Sequence, residues 1–285
     1  MNNMKDKTVL ITGANSGIGY ITTREIAKMG AKVVMLCRSE QRGRDALAKA
    51  KQESGSDDIH LLLCDLSSQA DIRRAMEQFK LTYDRLDVLV NNAGAIFTKR
   101  QESVDGIEMT FAINHLGYYL PTLLLLDMLK ESAPARIVNV SSGAHETGKF
   151  NFDDYNREQN FSSFAAYGES KMANILFTKE LARRLEGTGV TVNALHPGFV
   201  ATNFAKNTGL LGKLAMTFIA PIVGISPEKG AQTSIYLATS PEVDGVTGEY
   251  FAKSKVKKTH AFAQNVEAQK RLWALSEELT GVKLS

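Results

Sequence analysis

The chain has 285 residues, of which 44% are hydrophobic and 23% are charged, values that are ordinary for a globular protein. Its 34 lysines and arginines exceed its 31 aspartates and glutamates by a net charge of only +3, so the composition does not suggest a nucleic-acid partner. The two cysteines lack the spacing of a disulfide framework, and neither CxxC nor histidine-rich spacing indicates a metal site, so we predict no metal.

No segment has the length and apolarity of a membrane-spanning helix. Residues 1–7 contain no apolar run, and the longest apolar stretches, 118–126 and 210–224, are followed or interrupted by charged residues. Neither stretch reaches the roughly 18–20 apolar residues that a bilayer requires. Together with the reduced cysteines, this predicts a cytoplasmic protein with no membrane anchor.

Short apolar runs alternate with segments of helical periodicity. We predict strands at residues 8–12, 33–37, 59–64, 86–90, 136–140, 190–195 and 248–251. We predict helices at residues 18–29, 41–52, 69–79, 106–130, 165–185 and 227–238. This alternation gives βαβ units. The prediction is an α/β fold, a doubly wound parallel sheet of about seven strands with helices on both faces, formed by residues 1–285 as a single domain.

A glycine-rich turn follows the first strand and opens the first helix. Its spacing is G-x-x-x-G-x-G, which permits a tight turn and close approach of a pyrophosphate at the positive end of the helix. An ordinary glycine-rich turn is the alternative, but the position between a strand and a helix favours dinucleotide binding. The turn residues that we assign to the cofactor are Gly13, Asn15, Ser16, Gly17, Ile18 and Gly19.

The end of the second strand has an arginine where an NAD-binding protein would have a carboxylate for the ribose hydroxyls. Arg38 occupies that place, and Arg42 follows one helical turn later. A guanidinium can pair with the 2′-phosphate of NADP. We therefore predict NADP(H) in preference to NAD(H), the alternative being that Arg38 is a solvated surface residue.

Small or polar residues follow the remaining strands, where ligands of parallel sheets bind. Asp65 is placed to meet the adenine edge, or to cap the helix that starts near Ser68. The other strand-end residues that we assign to the cofactor are Leu66, Asn91, Ala93, Gly94, Pro197, Gly198, Val200 and Thr202.

Among the eight tyrosines, only Tyr167 has a lysine, Lys171, four residues later. Four residues are about one helical turn, so both side chains share a face of the predicted helix. An adjacent ammonium favours ionisation of a phenol whose ordinary pKa is about 10, which would let it exchange protons near neutral pH. A surface contact is the alternative for the pair taken alone.

Together these motifs resemble the short-chain dehydrogenase/reductase family over about residues 5–252. The motifs that carry the resemblance are the glycine-rich turn, Asn91-Asn92-Ala93-Gly94, Asn114, Ser142, Tyr167 with Lys171, and Pro197-Gly198. The resemblance implies a single-domain Rossmann fold and a nicotinamide cofactor. The chain is most similar to the branch of retinol dehydrogenases and protochlorophyllide reductases, through Leu36-Cys37-Arg38, Asn114-His115-Leu116-Gly117 and the segment 144–166. Animal retinol dehydrogenases of this branch usually carry an N-terminal membrane anchor. We expect no such anchor here, so the resemblance favours a soluble carbonyl reductase over a retinol dehydrogenase.

The resemblance also implies the catalytic roles. Tyr167 would be the general acid–base, and Lys171 would lower the pKa of Tyr167 and bind the nicotinamide ribose. Ser142 would orient the substrate oxygen, with Ser141 as its competitor, because only one of two successive side chains can face the cleft. Asn114 would hold a water that relays protons to Lys171, unless it only bonds its own helix backbone. Thr202 would contact the carboxamide.

The apolar stretch 199–225 predicts a lid that closes over substrate, the alternative being a helix pair packed on the core. We expect hydride transfer between the nicotinamide and a hydrophobic ketone, aldehyde or alcohol, with Phe150, Phe152 and Tyr155 lining the opposite side of the site. Reduction of a C=C bond and a non-catalytic NADP(H) sensor are the rival functions. By resemblance, helices 106–130 and 165–185 would form a homodimer or homotetramer, unless the residues before Tyr167 cover that surface and leave a monomer.

Overall fold

An eight-stranded sheet forms the centre of the protein. The computed structural model describes residues 3–198 and 225–284, to which every structural statement below refers. The strands are β1 (Thr8–Thr12), β2 (Lys32–Cys37), β3 (Ile59–Leu63), β4 (Val88–Asn91), β5 (Ala135–Val140), β6 (Val190–His196), β7 (Tyr250–Ala252) and β8 (Lys255–Val256). Their order is β3-β2-β1-β4-β5-β6-β7-β8. The first seven are parallel, and β8 pairs antiparallel with β7.

Helices connect the strands. They are α1 (Gly17–Lys28), α2 (Glu40–Ser54), α3 (Gln69–Thr82), α4 (Met109–Phe111), α5 (Gly117–Leu124), α6 (Leu126–Glu131), α7 (Ser163–Arg184), α8 (Pro227–Thr239) and α9 (Val266–Thr280). A π turn, Ala112–Leu116, joins α4 to α5, and short 3₁₀ turns occupy Gly143–Thr147, Pro241–Val243 and Ala261–Gln264.

Helices cover both faces of the sheet. Successive side chains along a strand point to opposite faces of the sheet. Val9 and Ile11 belong to the core under α1 and α8, whereas Leu10 belongs to the core under α3, α5 and α7. The strand order reverses between β1 and β4, so a crevice opens at their carboxyl ends. The predicted doubly wound parallel sheet is confirmed, with one short antiparallel strand added at its edge.

The prediction of one continuous helix over 106–130 is wrong. The helical segment begins at Met109, where the Glu108 carboxylate caps the N–H groups of Thr110 and Phe111. It widens into the π turn and is interrupted again at Leu125. Pro121 contributes to the irregularity, because it lacks the N–H that a continuous α-helical ladder needs. A single π turn inside a helix is often found at functional sites.

The last helix, α9, lies beyond the residues that carried the sequence motifs. It packs against α7, and its C-terminal carbonyl groups accept hydrogen bonds from Gln69 and Arg73 of α3. No helix within residues 3–198 and 225–284 combines the length and apolarity needed to cross a bilayer.

Candidate active site

The glycine-rich turn closes tightly around the end of β1. Gly13 and Gly17 have φ angles of 65° and 55°, in the left-handed region that favours glycine. A Cβ on Gly19 would lie 2.5 Å from the carbonyl oxygen of Gly13, so any side chain there would clash. At the start of α1, Ser16 makes no side-chain capping bond, and the first turn holds no acidic residue. The helix terminus therefore keeps N–H groups for an anion, which fits the pyrophosphate of a dinucleotide.

Asn92, which the sequence analysis did not assign, ties this turn to β4. Its side-chain amide donates to the Thr12 carbonyl at 2.8 Å, and the Thr12 hydroxyl accepts from the N–H groups of Asn92 and Ala93 at 2.9 Å each. Asn91 was assigned instead, but its amide lies in the core and donates to Thr122 and Asn139. The amide nitrogen of Asn91 is therefore occupied within the core, and the cofactor contact of Asn91 stays a prediction.

Arg38 and Asp65 face each other beyond β2 and β3. The Arg38 side chain is 61% exposed, and its Nη1 lies 3.9 Å from Asp65 Oδ2. Asp65 also accepts from the N–H and the hydroxyl of Ser67, whereas Ser68 caps α3. The capping alternative for Asp65 is thus wrong. An exposed pair at this distance is weak, so the guanidinium remains able to pair with a phosphate.

Of the two serines after β5, the second faces the site. Ser142 accepts the N–H of Ala144 at 3.2 Å, and its side chain is hydrogen-bonded to that of Tyr167. Ser141 is buried, and its hydroxyl donates to the backbone carbonyl of Lys171 at 2.8 Å. The alternation of side chains along an extended chain produces this division.

Asn114 lies in the π turn, and both hydrogens of its amide are used. Oδ1 accepts the N–H of Ala95 at 2.8 Å, while Nδ2 donates to the Ala95 carbonyl at 2.9 Å and to the Ser170 hydroxyl at 3.0 Å. The alternative that Asn114 bonds only its own helix is therefore wrong. The side chain joins the segment after β4 to α7, one residue before Lys171.

Lys171 is buried beneath Tyr167. Its Nζ lies 5.7 Å from the centre of the Tyr167 ring and 5.4 Å from that of Tyr118, and it donates to the Val140 carbonyl at 3.0 Å. Tyr118 was not assigned from the sequence, although it follows Asn114 by one helical turn. Its hydroxyl donates to the carbonyl of Ala93 at 2.8 Å, which fixes the ring under the lysine.

Burial dominates the acid–base properties of the pair. It lowers the pKa of Lys171 to about 7. It raises the pKa of Tyr167 to about 12, although the hydrogen bond with Ser142 acts in the opposite direction. The net shift of the Tyr167 pKa is thus opposite to the lowering that we expected from Lys171, and a lowering contribution of Lys171 stays a prediction. The same burial that disfavours phenolate also removes the charge from the ammonium near neutral pH.

We expect replacement of Lys171 by methionine to flatten the pH dependence of stability. The pKa of Lys171 falls from an ordinary 10.5 to about 7 on folding, so between these values the unfolded chain binds more protons than the native protein. The free energy of unfolding therefore rises with pH in this window, by up to about 1.4 kcal/mol per pH unit from this group. Urea unfolding across the window should show a smaller slope for Lys171→Met than for the wild type. Lys270→Met, on the exposed face of α9, is the control. Equal slopes for Lys171→Met and the wild type would contradict the lowered pKa of Lys171.

The other residues that were assigned to the cofactor or substrate lie at separate positions around the sheet or outside the described residues. Leu66 is buried against Gly117, and Gly198 has a φ of 95° and donates its N–H to His196 after β6. Val200, Thr202 and the predicted lid lie outside the described residues, except for Ile225. Phe150 does not line a substrate site, because it is buried in the core with its ring centre 5.4 Å from that of Phe111.

Comparisons with known proteins show the family of the chain. Residues 7–210 match the family model described as short chain dehydrogenase, so the chain belongs to that family. It is 44% identical to human retinol dehydrogenase 14, over 98% of this chain and 88% of that protein. An uncharacterized protein from Mycobacterium paratuberculosis has a similar crystal structure, with a TM-score of 0.82, 32% identity and coverage of 100% and 97% of the two chains. The NADP complex of RhlG from Pseudomonas aeruginosa gives a TM-score of 0.70 at 26% identity, covering 92% of this chain and 98% of RhlG.

Proposed function

We propose that this member of the short-chain dehydrogenase family is an NADP(H)-dependent oxidoreductase with Tyr167 as its general acid–base. Its substrates would be a hydrophobic ketone or aldehyde and the corresponding alcohol. The observation that carries the proposal is the Ser142–Tyr167 hydrogen bond above buried Lys171, at the carboxyl edge of the sheet beside the glycine-rich turn. A retinol dehydrogenase as a relative supports a long, apolar alcohol as the substrate class.

The two hydroxyl groups would act on one substrate oxygen. When bound, the nicotinamide supplies or accepts the hydride. Tyr167, whose pKa is about 12, carries its proton throughout the neutral range and can donate it to the carbonyl oxygen during reduction. Ser142 would donate to the same oxygen and stabilise the charge that develops on it. In the oxidising direction, Tyr167 would pass its own proton towards neutral Lys171 as it takes the proton from the alcohol.

Lys171 would return the proton that Tyr167 gives up. Because its pKa is about 7, it changes protonation state near neutral pH without a large free-energy cost. The bond to the Val140 carbonyl keeps Nζ on the Tyr167 side of the core. We retain the proposal that Asn114 holds a relay water, since its bonds to Ala95 and Ser170 place it beside this route.

Arg38 would select the cofactor. A charge-assisted hydrogen bond to the 2′-phosphate is worth about 1.5–3 kcal/mol. Arg38→Ala should therefore weaken NADPH binding by roughly 10- to 100-fold and leave NADH binding nearly unchanged. Steady-state KM values for both cofactors measure this effect. Arg44→Ala is the matched control, because that arginine is exposed on α2 and is paired with Glu40. A wild type that prefers NADH, or an equal loss of both cofactors in Arg38→Ala, would overturn the assignment.

The function as a whole is tested by NADPH oxidation over a panel of hydrophobic ketones and aldehydes, with retinal included, followed by product identification. An alcohol as product supports the proposal. A saturated carbon–carbon bond as product would favour C=C reduction. NADPH binding without turnover of any substrate would favour the sensor.

We also propose that the surface formed by α5 and α7 is closed to a second copy of the chain. The segment before Tyr167 was expected to be the element that could cover it. In the structure α9 does so, because Trp273 packs on Tyr119 of α5 and Phe177 of α7. This favours the monomer among the predicted assemblies. A cytoplasmic location remains part of the proposal.

A further inference from the structure

The peptide bond that follows Ser142 is held at both ends by imidazole rings. His145 Nδ1 lies 2.7 Å from the carbonyl oxygen of Ser142. On the other side, His196 Nδ1 accepts the N–H of Gly143 at 3.1 Å. The same nitrogen accepts the N–H of Gly198 at 3.2 Å. His196 therefore joins the turn after β5, which carries Ser142, to the turn after β6.

The partners fix the tautomer of each ring. A carbonyl oxygen has no proton to give, so His145 must carry a hydrogen on Nδ1. Its Nε2 is then free to accept the His260 N–H at 3.5 Å. His196 has the opposite requirement, because two N–H donors point at Nδ1 and only a lone pair can accept them. Its hydrogen is therefore on Nε2.

We propose that His145 and His196 are positioning residues for Ser142, holding the Ser142–Gly143 peptide between two neutral imidazoles of opposite tautomer. The proposal rests on the proposed function and extends it to two residues that do not themselves touch the substrate. Protonation of His196 would place a hydrogen on Nδ1 and break its bonds to both Gly143 and Gly198. The Ser142 turn and the turn after β6 would then lose their common anchor.

The groups around the two rings favour the neutral state. Burial lowers the pKa of His145 and His196, and the His145 imidazole further lowers that of His196. The hydrogen bond to the Ser142 carbonyl acts in the opposite direction on His145 but does not outweigh burial. Lys257, from the segment after β7, acts in the same direction as burial on both, and His260 does so on His145. Glu146 opposes this effect, but its carboxylate is paired with Lys257 at 3.0 Å.

Tyr250 completes the surroundings of His145. Its hydroxyl lies 3.4 Å from His145 Nδ1, farther than the Ser142 carbonyl, so it does not set the tautomer. Because the net effect of these groups lowers both pKa values, we expect the two histidines to be neutral at neutral pH and to acquire charge only in acid.

The tautomers can be measured directly in the wild-type protein by ¹H–¹⁵N correlation spectra of a sample with ¹⁵N-labelled histidines. Assignment uses the single His145→Asn and His196→Asn variants. We expect a protonated Nδ1 in His145 and a protonated Nε2 in His196 at neutral pH. The reverse tautomer in either ring would overturn the proposal, and this measurement does not depend on catalysis.

Kinetics test the consequence for Ser142. His196→Leu removes the acceptor and should lower kcat by about tenfold, the loss expected for one or two neutral hydrogen bonds. Because protonation of His196 would break its bonds, we expect kcat of the wild type to decline in acid. His196→Asn places an amide oxygen near the position of Nδ1, so it should restore much of kcat and abolish that decline. His60→Asn, on β3 at the far edge of the sheet, is the matched control.

A His196→Leu variant with the wild-type kcat and pH profile would overturn the positioning role. Failure of the wild type to turn over any substrate would count against the proposed function alone. The tautomer measurement would then still decide whether the two imidazoles hold the Ser142–Gly143 peptide as proposed.

Discussion

Replacing Tyr167 by phenylalanine is expected to lower kcat by about 10²- to 10⁴-fold, the range that general acid–base catalysis contributes. The variant keeps the aromatic ring and loses only the hydroxyl that bonds to Ser142. The affinity for NADPH should change little, because the glycine-rich turn and Arg38 are untouched. Single-turnover and steady-state rates, with NADPH binding followed by fluorescence, measure both quantities.

The matched control for this variant is Tyr236→Phe. Tyr236 lies on α8, and its hydroxyl donates to Glu242 at 3.0 Å, far along the chain from the proposed catalytic residues. It should leave kcat unchanged. Turnover of Tyr167→Phe at the wild-type rate would show that Tyr167 is not the proton donor, whatever cofactor the enzyme prefers.

The arrangement of these residues was largely predictable because parallel strands end at one edge of a sheet. Gly13, Arg38, Asp65 and Ser142 are far apart in the chain, yet each follows a strand. Alternation within an extended segment showed that only one of Ser141 and Ser142 faces the cleft, and the family resemblance indicated Ser142. The strand boundaries and the period of two therefore located the site, and the resemblance selected the serine.

Properties set by long-range packing were not predictable in the same way. Asn91 and Asn92 are adjacent and identical in type, and only their partners in β1 and β5 show which amide reaches the glycine-rich turn. The spacing of Tyr167 and Lys171 showed that they share a helix face. It did not show that Lys171 is buried and Tyr167 partly buried, and the loss of solvent around them decides their pKa values.

The C-terminal helix was missed although the sequence contains its signals. Asn265 caps α9 by accepting the N–H of Ala268, and Gly281 ends it in the left-handed conformation. Both are ordinary helix signals. The family resemblance covers only residues up to about 252, so it gave no indication of a helix in the segment that follows.

Replacing Trp273 by alanine is expected to lower the free energy of unfolding by about 3–5 kcal/mol, the usual cost of removing a large buried aromatic side chain. Trp273 is 2% exposed and lies at the centre of the α9 contact. Its ring centre is 5.3 Å from that of Tyr119 and 6.0 Å from that of Phe177, and the Arg184 guanidinium stacks on it at 4.2 Å. Urea unfolding measures the loss. Lys270→Ala, on the exposed face of the same helix, should change stability by less than about 0.5 kcal/mol.

The same substitution should reach the active site through His115, which follows Asn114 in the π turn. His115 is fully buried, and its Nε2 lies 2.8 Å from the Ser276 hydroxyl of α9. Because that hydroxyl already donates to the Leu272 carbonyl, His115 must be the donor. Loosening α9 would release this bond and uncover apolar surface on α5 and α7. We therefore expect Trp273→Ala to lower kcat, and we expect light scattering to show that the variant self-associates. A loss of stability below about 1 kcal/mol, with kcat and the association state unchanged, would show that α9 does not cover this face.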